Sequence, residues 1–275
     1  MNSLEAIRDE IKNADMILLG IGEELRVSEK DVLAENPVYT AFGKEIESLE
    51  KPECDFIKNS LYTYELENGH NLILTEKIKV YNRLKELIGD KNYFAVTTCK
   101  DDVICFSDFD GSRVVRPCGT KKLMKCQNGC CKEVQKTEEA FANLNEKLLR
   151  MYREGSFSRG EIERSIPRCR ECGTDMEINA AGTSGYSEKG YEKDWKHYTM
   201  WLQGTLNRRI CILELGVGFA FPTVIRWPFE RIAALNNKAC FVRVNEKLPQ
   251  IAKEIKDKSF SVKMNSGNFI AEIAV

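Results

Sequence analysis

Residues 16–22 read Met-Ile-Leu-Leu-Gly-Ile-Gly, a short apolar run that ends in two glycines separated by one residue. Residues 209–218 repeat this arrangement as Arg-Ile-Cys-Ile-Leu-Glu-Leu-Gly-Val-Gly. A short continuous apolar run predicts a buried strand of a parallel sheet, and a glycine turn directly after it is typical of nucleotide-binding α/β domains. The two stretches therefore predict two strands of one sheet, each with a ligand-binding turn at its carboxyl end.

Other strands and helices alternate along the chain on either side of these stretches. Further strands are predicted over residues 92–98 and 239–245, with a short extended segment at 113–116. Apolar residues at helical spacing predict helices over 3–13, 137–154 and 189–206, and Pro228 is expected to open another. Strands separated by helices predict an α/β fold with a Rossmann-like, doubly wound parallel sheet. The final residues, 258–274, fit either a helix or a strand.

Four cysteines in two spaced pairs predict a metal site. Cys126 and Cys130 lie in Cys-Gln-Asn-Gly-Cys, and Cys169 and Cys172 lie in Cys-Arg-Glu-Cys-Gly. Each short loop can present two thiolates to one ion, and four sulfur ligands form a closed, structural zinc site. Cys131 is an alternative to Cys130, which is preferred because it makes the shorter loop.

The cysteine pairs divide the chain. We expect residues 1–118 and 181–275 to form the Rossmann-like domain and residues 119–180 to form an inserted zinc module. Residues 28–90 mix charged and apolar residues and are punctuated by Pro37, Pro52 and Asn68-Gly69. This pattern predicts a helical cap inserted beside the sheet.

Composition restricts the class of protein. The 275 residues are 43% hydrophobic and 30% charged, with a formal net charge of −1. A nearly neutral chain has no long-range field that attracts nucleic acid or an anionic membrane, and no apolar run reaches the length of a membrane span. The charged N-terminus predicts a helix and not a signal peptide, and eleven cysteines without a disulfide pattern suggest a reducing cytoplasm.

Three segments are expected to meet at the carboxyl edge of the sheet, where open parallel sheets bind ligands. They are Gly20-Ile21-Gly22, residues Thr97 to Asp101, and Gly216-Val217-Gly218. Glycine turns let backbone N–H groups approach a diphosphate without hindrance from a Cβ atom. Asn245, just past the last predicted strand, is placed to bind a ribose hydroxyl.

Glu23 and Glu24 oppose this interpretation, because a carboxylate beside a diphosphate is repulsive. Either these side chains point away, or one contacts ribose hydroxyls, or the pocket holds a less anionic ligand. The two histidines, His70 and His197, lie outside the three segments and are expected at the surface.

The order of these parts resembles the sirtuins, which are NAD-dependent deacylases and ADP-ribosyl transferases. The local sequence is most similar to the bacterial macrodomain-linked sirtuins over Ile166–Asn179, Leu213–Phe219 and Ile225–Arg231. The resemblance implies that this chain binds NAD and zinc, with Cys126, Cys130, Cys169 and Cys172 as the zinc ligands.

The resemblance also implies roles for individual residues. The expected NAD-binding residues are Gly20, Gly22, Glu24, Thr97, Thr98, Asp101, Gly216, Val217, Gly218 and Asn245. Asp101 would orient the nicotinamide end of the pocket and is one of two candidate catalytic residues. The other is Cys118, which stands where sirtuin deacylases carry the His that deprotonates a ribose hydroxyl. Cys118 acts either as a base of lowered pKa or only as a wall of the cleft.

Several departures from the family pattern bear on activity. Cys99 replaces the family's Asn, Glu24 stands where a serine is usual, and the Gly-Ile-Pro-x-Phe-Arg stretch after the first glycine turn is missing. Without the catalytic His, ADP-ribosyl transfer to a protein is expected rather than deacylation. A lipoyl-carrier protein as acceptor and a macrodomain protein as partner are implied by the resemblance. The alternatives are a non-catalytic protein that binds a nucleotide or a partner, an NAD hydrolase, and a zinc-stabilised scaffold with another ligand.

Overall fold

A six-stranded sheet forms the centre of the computed structural model, which describes residues 3–274. The order across the sheet is β3-β2-β1-β7-β8-β9, and each neighbouring pair is parallel. Its strands are β1 (Met16–Ile21), β2 (Asn92–Thr97), β3 (Val114–Val115), β7 (Ile210–Leu215), β8 (Ala239–Val244) and β9 (Ser259–Val262). A second, antiparallel sheet of order β5-β4-β6 contains β4 (Gly119–Cys126), β5 (Gln135–Lys136) and β6 (Met176–Ala180).

Helices cover both faces of the main sheet. They are α1 (Ser3–Asn13), α2 (Glu29–Ala34), α3 (Pro37–Glu47), α4 (Glu53–Asn68), α5 (Leu72–Ile88), α6 (Glu138–Glu154), α7 (Arg159–Glu163), α8 (Glu192–Gln203), α9 (Arg226–Leu235) and α10 (Ser266–Ile273). Successive strand residues point to opposite faces, so Ile17 and Leu19 join one apolar core and Leu18 joins the other. The predicted doubly wound α/β fold is confirmed.

The strand order reverses between β1 and β7, and this reversal positions the site. From β1 the chain adds β2 and β3 on one side, and it later adds β7, β8 and β9 on the other. Ile21 is level with both Thr97 and Leu215, so the three strands end together. The two glycine turns therefore emerge side by side at the topological switch point, where open α/β sheets bind ligands.

The smaller sheet lies within residues 119–180, the range predicted for the zinc module. Residues 28–90 form α2, α3, α4 and α5, as the helical pattern predicts. The last of these is more than a cap, because Tyr81 and Leu84 of α5 are fully buried in the core on one face of the sheet. Helix α5 thus serves as the crossover between the parallel strands β1 and β2.

Element boundaries differ slightly from the sequence predictions. Helix α9 begins at Arg226, two residues before Pro228. Pro228 is still tolerated in the first turn, because the N–H that proline lacks would have no partner there. Residues 258–274, for which the sequence fitted either a helix or a strand, contain one of each: strand β9 is followed by helix α10. Across residues 3–274, none of the helices combines the length and the apolar character that a membrane crossing requires.

Candidate functional site

The two glycine turns touch each other directly. Gly22 donates its N–H to the carbonyl oxygen of Leu215 at 2.9 Å, which continues the β1–β7 ladder into the turns. A Cβ atom on Gly22 would overlap the backbone of Gly216 and Val217. Gly216 has φ +65°, a conformation that favours glycine. The two turns therefore meet at the carboxyl edge of the sheet, as the sequence predicts.

Gly20 lies at the same edge but serves packing. It sits inside β1, and a Cβ there would overlap Ile225 and Phe229 at the start of α9. The absence of a side chain lets α9 approach the sheet closely. Only Gly22 of this pair contacts the second turn.

Glu23 and Glu24 both point toward the second turn and not away from it. The N–H of Gly218 donates to Glu23 Oε2 at 2.8 Å. The carboxylate of Glu24 accepts from the N–H of Glu246 and from both the N–H and the hydroxyl of Ser266, each at 2.8 Å. Carboxylates of the chain thus occupy backbone donors at the carboxyl edge, in positions that an anionic ligand would also favour.

The second turn is fixed from behind by two buried side chains. Asn245 Nδ2 donates to the carbonyl oxygen of Val217 at 3.1 Å, and its Oδ1 accepts the N–H groups of Lys247 and Leu248. Arg226 donates to the same Val217 oxygen at 2.9 Å and to that of Leu248. The expected ribose ligand Asn245 is thus engaged mainly with backbone, where it holds the turn in place.

A buried ionic network supports this turn in the sheet. Glu214 of β7 pairs with Arg243 of β8 through two contacts of 2.7 and 2.8 Å, and Arg226 lies 3.5 Å from the same carboxylate. Glu230 of α9 completes the network at 2.7 Å from Arg243. These four residues link β7, β8 and α9 beneath the second glycine turn. Glu214, Arg226 and Glu230 all lie in the segments that carry the family resemblance, so the network gives those segments a structural role.

The end of β2 brings Asp101 to the same edge. Thr98 donates its N–H to Ile21, and Thr97 Oγ1 accepts the N–H of Cys99, so both threonines shape the loop. Asp101 is 4% exposed and accepts the N–H of Val27 at 2.7 Å. Burial raises the pKa of Asp101 to about 6, although backbone hydrogen bonds oppose the shift.

Asp101 lines a cavity of about 310 Å³, which we call the Asp101 pocket. Its other walls come from the loop after β1, the start of α2, α4, and β4. Its lining residues include Arg26, Glu29, Tyr62, Lys100, Asp101 and Lys121. Only Lys100 and Asp101 lie in a segment predicted at this edge, and the others could not be predicted because the lining comes from four separated segments.

Cys118, the second candidate catalytic residue, is a buried cysteine just before β4. The residue is 1% exposed, and burial raises its pKa to about 11. Lys100 lies near Cys118, because its ammonium donates to Ala181 O at 2.6 Å while the N–H of Ala181 donates to Cys118 O. The positive charge of Lys100 lowers the thiol pKa, but the effect of burial is larger. Both histidines of the chain, His70 and His197, are exposed, as expected.

Asp102 is a structural residue whose role was not predicted from the sequence. It adopts φ +59° and accepts from Arg116 at 2.5 Å, from the hydroxyl of Thr120, and from the N–H of Lys121. These bonds attach the loop after β2 to strand β4 of the smaller sheet. The only sequence signal was the Asp-Asp pair after a predicted strand.

The four predicted metal ligands converge. The Sγ atoms of Cys126, Cys130, Cys169 and Cys172 all lie within 4.8 Å of one another. Cys126 and Cys130 are 3.5 Å apart, and so are Cys130 and Cys169. A tetrahedral zinc with bonds of about 2.3 Å places its sulfurs ~3.8 Å apart, so the donor set suits zinc. Cys131 lies outside the cluster, which supports the preference for Cys130.

No protein-family model matches the chain. A protein ADP-ribosyltransferase of Staphylococcus aureus (strain Mu50) is 23% identical over 267 residues, which cover 93% of this chain and 82% of that protein. A probable bifunctional ADP-ribose hydrolase/ADP-ribosyltransferase of Fusarium oxysporum f. sp. cubense is 37% identical over 67 residues, covering 24% of this chain and 11% of that protein.

Solved structures of Sir2 enzymes, the sirtuins, share the fold. One matches with a TM-score of 0.50 and 13% identity, covering 99% of this chain and 96% of the other. A mutant Sir2 homologue in complex with 2′-O-acetyl ADP-ribose matches with a TM-score of 0.51 and 13% identity, covering 98% and 94%. The chain therefore has the sirtuin fold, and the resemblance drawn from the sequence is confirmed at that level.

Proposed function

We propose that this chain is an NAD-dependent transferase that moves ADP-ribose onto a protein acceptor. The observation that carries the proposal is the contact between the two glycine turns, with Asp101 at the same edge of a sirtuin-fold sheet. Similarity to a protein named as an ADP-ribosyltransferase over 93% of the chain supports the reaction class.

A dinucleotide fits along this edge of the sheet if Glu23 releases the N–H of Gly218. Gly22 and Gly216 let the two turns and Glu24 pack closely together at the carboxyl edge, and Asp101 lines a separate pocket for an end group. Glu23, however, holds the N–H of Gly218, and a phosphate needs that donor. Because Glu23 is half-buried and reaches the turn through a flexible side chain, it can release Gly218 without a change in the sheet.

The residues of the chain favour transfer to a protein over deacylation. NAD, when bound, supplies an ADP-ribosyl group whose leaving group is nicotinamide. Cys118 stands where the deacylases carry their His, and a buried thiol with a pKa of about 11 stays protonated at neutral pH. The cleft wall at this position then offers no base for a ribose hydroxyl. In this proposal Asp101 orients the leaving group, and Cys118 is a wall residue that excludes water.

Zinc is proposed for the four-thiol cluster, in a structural role. All four ligands are protein sulfurs, so the metal would keep no open position for substrate. A lipoyl-carrier protein is the proposed acceptor, and a macrodomain protein is the proposed partner that would act on the product.

The test is release of nicotinamide from NAD in the presence of candidate acceptors, with the products separated. Transfer predicts label on the acceptor, whereas an NAD hydrolase would give free ADP-ribose without any acceptor. Asp101→Asn should abolish nicotinamide release. Cys118→Ser should leave the pH profile of nicotinamide release unchanged. An absence of both nicotinamide release and heat on NAD titration would remove the proposal.

A second candidate is a sirtuin-like protein that binds a nucleotide or partner without turnover. The bond between Glu23 and Gly218 favours it, because the chain itself satisfies a donor that catalysis would need for phosphate. A crystal soaked in NAD discriminates between the two, since catalysis requires the nicotinamide to be buried beside Asp101.

A further inference from the structure

The 181–187 segment, which follows β6, forms neither helix nor strand and is held at both of its ends. At its start, Ala181 donates its N–H to the carbonyl oxygen of Cys118 at 2.8 Å, and its own carbonyl oxygen accepts from the Lys100 ammonium at 2.6 Å. The same ammonium lies 5.4 Å from the centre of the Phe221 ring. The start of the segment therefore lies against two residues of the candidate site, Cys118 and Lys100.

The later part of the segment lies against the loop that carries two of the four thiols. This loop, residues 126–130, contains Gly129. A Cβ atom on Gly185 would lie 2.9 Å from the Cα atom of Gly129, and a Cβ atom on Gly129 would lie 3.1 Å from that of Gly185. The two backbones thus pack directly on each other, and an alanine at either position would disturb the contact.

Further hydrogen bonds fix the segment on the smaller sheet. Lys125 of β4 is 1% exposed, and its ammonium donates to the carbonyl oxygen of Ser184 at 2.5 Å. Asn179 of β6 donates to the carbonyl oxygen of Ser187 and accepts its N–H, both at 2.9 Å. Lys125 directly precedes the thiol ligand Cys126, so one end of β4 holds both the ligand and the segment.

These contacts form a short path from the thiols to the candidate site. Gly185, which touches loop 126–130, is only four residues from Ala181, and four residues span at most about 14 Å. The segment has no helix or strand of its own to fix its shape, so its conformation depends on the contacts along it. A change in loop 126–130 is therefore transmitted to Ala181.

We propose that the 181–187 segment couples the four-thiol site to the candidate site. A bound metal ion fixes loop 126–130, this loop holds the segment at Gly185, and the segment keeps Ala181 on Cys118 and Lys100. The coupling goes beyond the proposed function: it requires a metal such as zinc at the thiols, but it does not require the transfer reaction. Because coupling between two sites is reciprocal, loosening the segment also weakens the retention of the metal.

Gly185→Ala tests this coupling in the zinc-loaded chain. The added methyl group meets the backbone of Gly129, so the variant should release zinc to a colorimetric chelator about tenfold faster than wild type, as changes outside the ligand set commonly weaken metal binding by that factor or more. The matched control is Gly155→Ala. Gly155 has φ +65°, close to the +69° of Gly185, but a Cβ atom there would meet no atom of residues 3–274 within 4 Å apart from its chain neighbours. The control should release zinc at the wild-type rate.

The second measurement follows the thiol of Cys118, which is 1% exposed. Its initial rate of alkylation by N-ethylmaleimide, measured by peptide mass spectrometry on the zinc-loaded chain, should rise severalfold in Gly185→Ala, because a buried group reacts only after local opening. In Gly155→Ala this rate should equal that of wild type. Cys211 of β7 is 0% exposed and is the internal reference, since its alkylation would report unfolding of the whole chain.

The two measurements must change together, and any other combination overturns the inference. Faster zinc release without faster alkylation of Cys118 would mean that the segment supports the metal loop alone. Faster alkylation with unchanged zinc release would mean that Ala181 moves independently of the metal. Equal changes in Gly155→Ala would show a general effect of strain in the backbone.

Ser187→Ala is the second variant, for use if Gly185→Ala fails to fold, fails to load zinc or exposes Cys211. It removes only the bond from the Ser187 hydroxyl to the carbonyl oxygen of Lys132. Both rates should rise by a smaller factor, and an unchanged value of either rate would contradict the coupling. Neither measurement uses NAD, so failure of the coupling is distinct from failure of the proposed function.

Discussion

At the scale of single residues, we propose that Glu23 limits the access of an anion to the second glycine turn. Its carboxylate occupies the N–H of Gly218, so a diphosphate meets both a filled donor and a negative charge. Two unit charges about 4 Å apart repel by about 1 kcal/mol in water and by more in a drier cleft. Glu23→Gln should therefore tighten NAD binding by several-fold, as measured by titration calorimetry.

The control for this prediction is Glu139→Gln, which removes an exposed carboxylate on α6. It should leave NAD affinity unchanged. Weaker NAD binding by Glu23→Gln would show that the carboxylate contacts the ligand favourably, for example through ribose hydroxyls.

Asp101 predicts a dependence of stability on pH. Burial raises its pKa from 3.8 to about 6, so between these values the folded chain holds a proton that the unfolded chain has lost. This group's contribution to stability is full below about pH 4 and is lost as the pH rises through 6. The free energy of unfolding of wild type minus that of Asp101→Asn should fall by ~3 kcal/mol between those pH values. Urea unfolding at pH 4, 5, 6 and 7 measures it.

The matched comparison is Asp90→Asn, an exposed carboxyl in the turn before β2. The difference in free energy of unfolding between wild type and Asp90→Asn should stay nearly constant over the same pH range. If the difference for Asp101→Asn were also constant with pH, Asp101 would be hydrated in solution and not buried.

At the scale of elements, the ionic network is what holds the second glycine turn on β7. Glu214 is 1% exposed and faces both Arg243 and Arg226. Its removal leaves two buried arginines without this partner, and breaking a buried pair usually costs about 3–5 kcal/mol. Glu214→Gln should destabilise the chain by that order in urea unfolding, and it should also weaken NAD binding because Arg226 supports Val217.

Glu254→Gln, which changes an exposed carboxylate near the C-terminal end of the fold, should have little effect on either measurement. Glu214→Met combined with Arg243→Met should recover part of the lost stability, since Arg243 no longer lies buried without Glu214, although Arg226 and Glu230 still lose a partner. A Glu214→Gln variant as stable as wild type would mean that the network contributes little.

The sequence predicted elements well where apolar patterning is strong. Residues 16–21 and 210–215 are buried throughout, so their continuous apolar runs allow one interpretation. The roles of individual polar residues were harder to predict because they depend on distant partners. The bond between Glu23 and Gly218 spans 195 positions, and the attachment of Asp102 to β4 depends on how the small sheet docks. Gly20 appeared to belong to a ligand turn because spacing alone does not reveal that α9 packs against it.

At the scale of the whole molecule, we propose that the four-thiol cluster binds zinc and thereby stabilises the part of the chain around the smaller sheet. Cys126 ends β4, and the other ligands lie in loops near the start of β6 or beyond β4. Structural zinc contributes folding energy on the order of 10 kcal/mol in small modules. Cys126→Ser should lose the metal and lower the melting temperature, whereas Cys131→Ser should keep one metal ion per chain.

Metal content by plasma mass spectrometry and thermal unfolding with and without a chelator check this prediction. Equal metal content in Cys126→Ser and wild type would contradict it. Loss of metal from Cys131→Ser would instead show that Cys131 and Cys130 exchange as ligands.

The fold as a whole places both glycine turns and the Asp101 pocket along one edge of the sheet. The measurement that tests this arrangement most directly is a crystal structure of the full chain with bound NAD. The account predicts the diphosphate at Gly216–Gly218, Glu23 displaced from Gly218, and the pyridine ring beside Asp101. NAD bound elsewhere on the surface, with the Glu23–Gly218 bond intact, would contradict it.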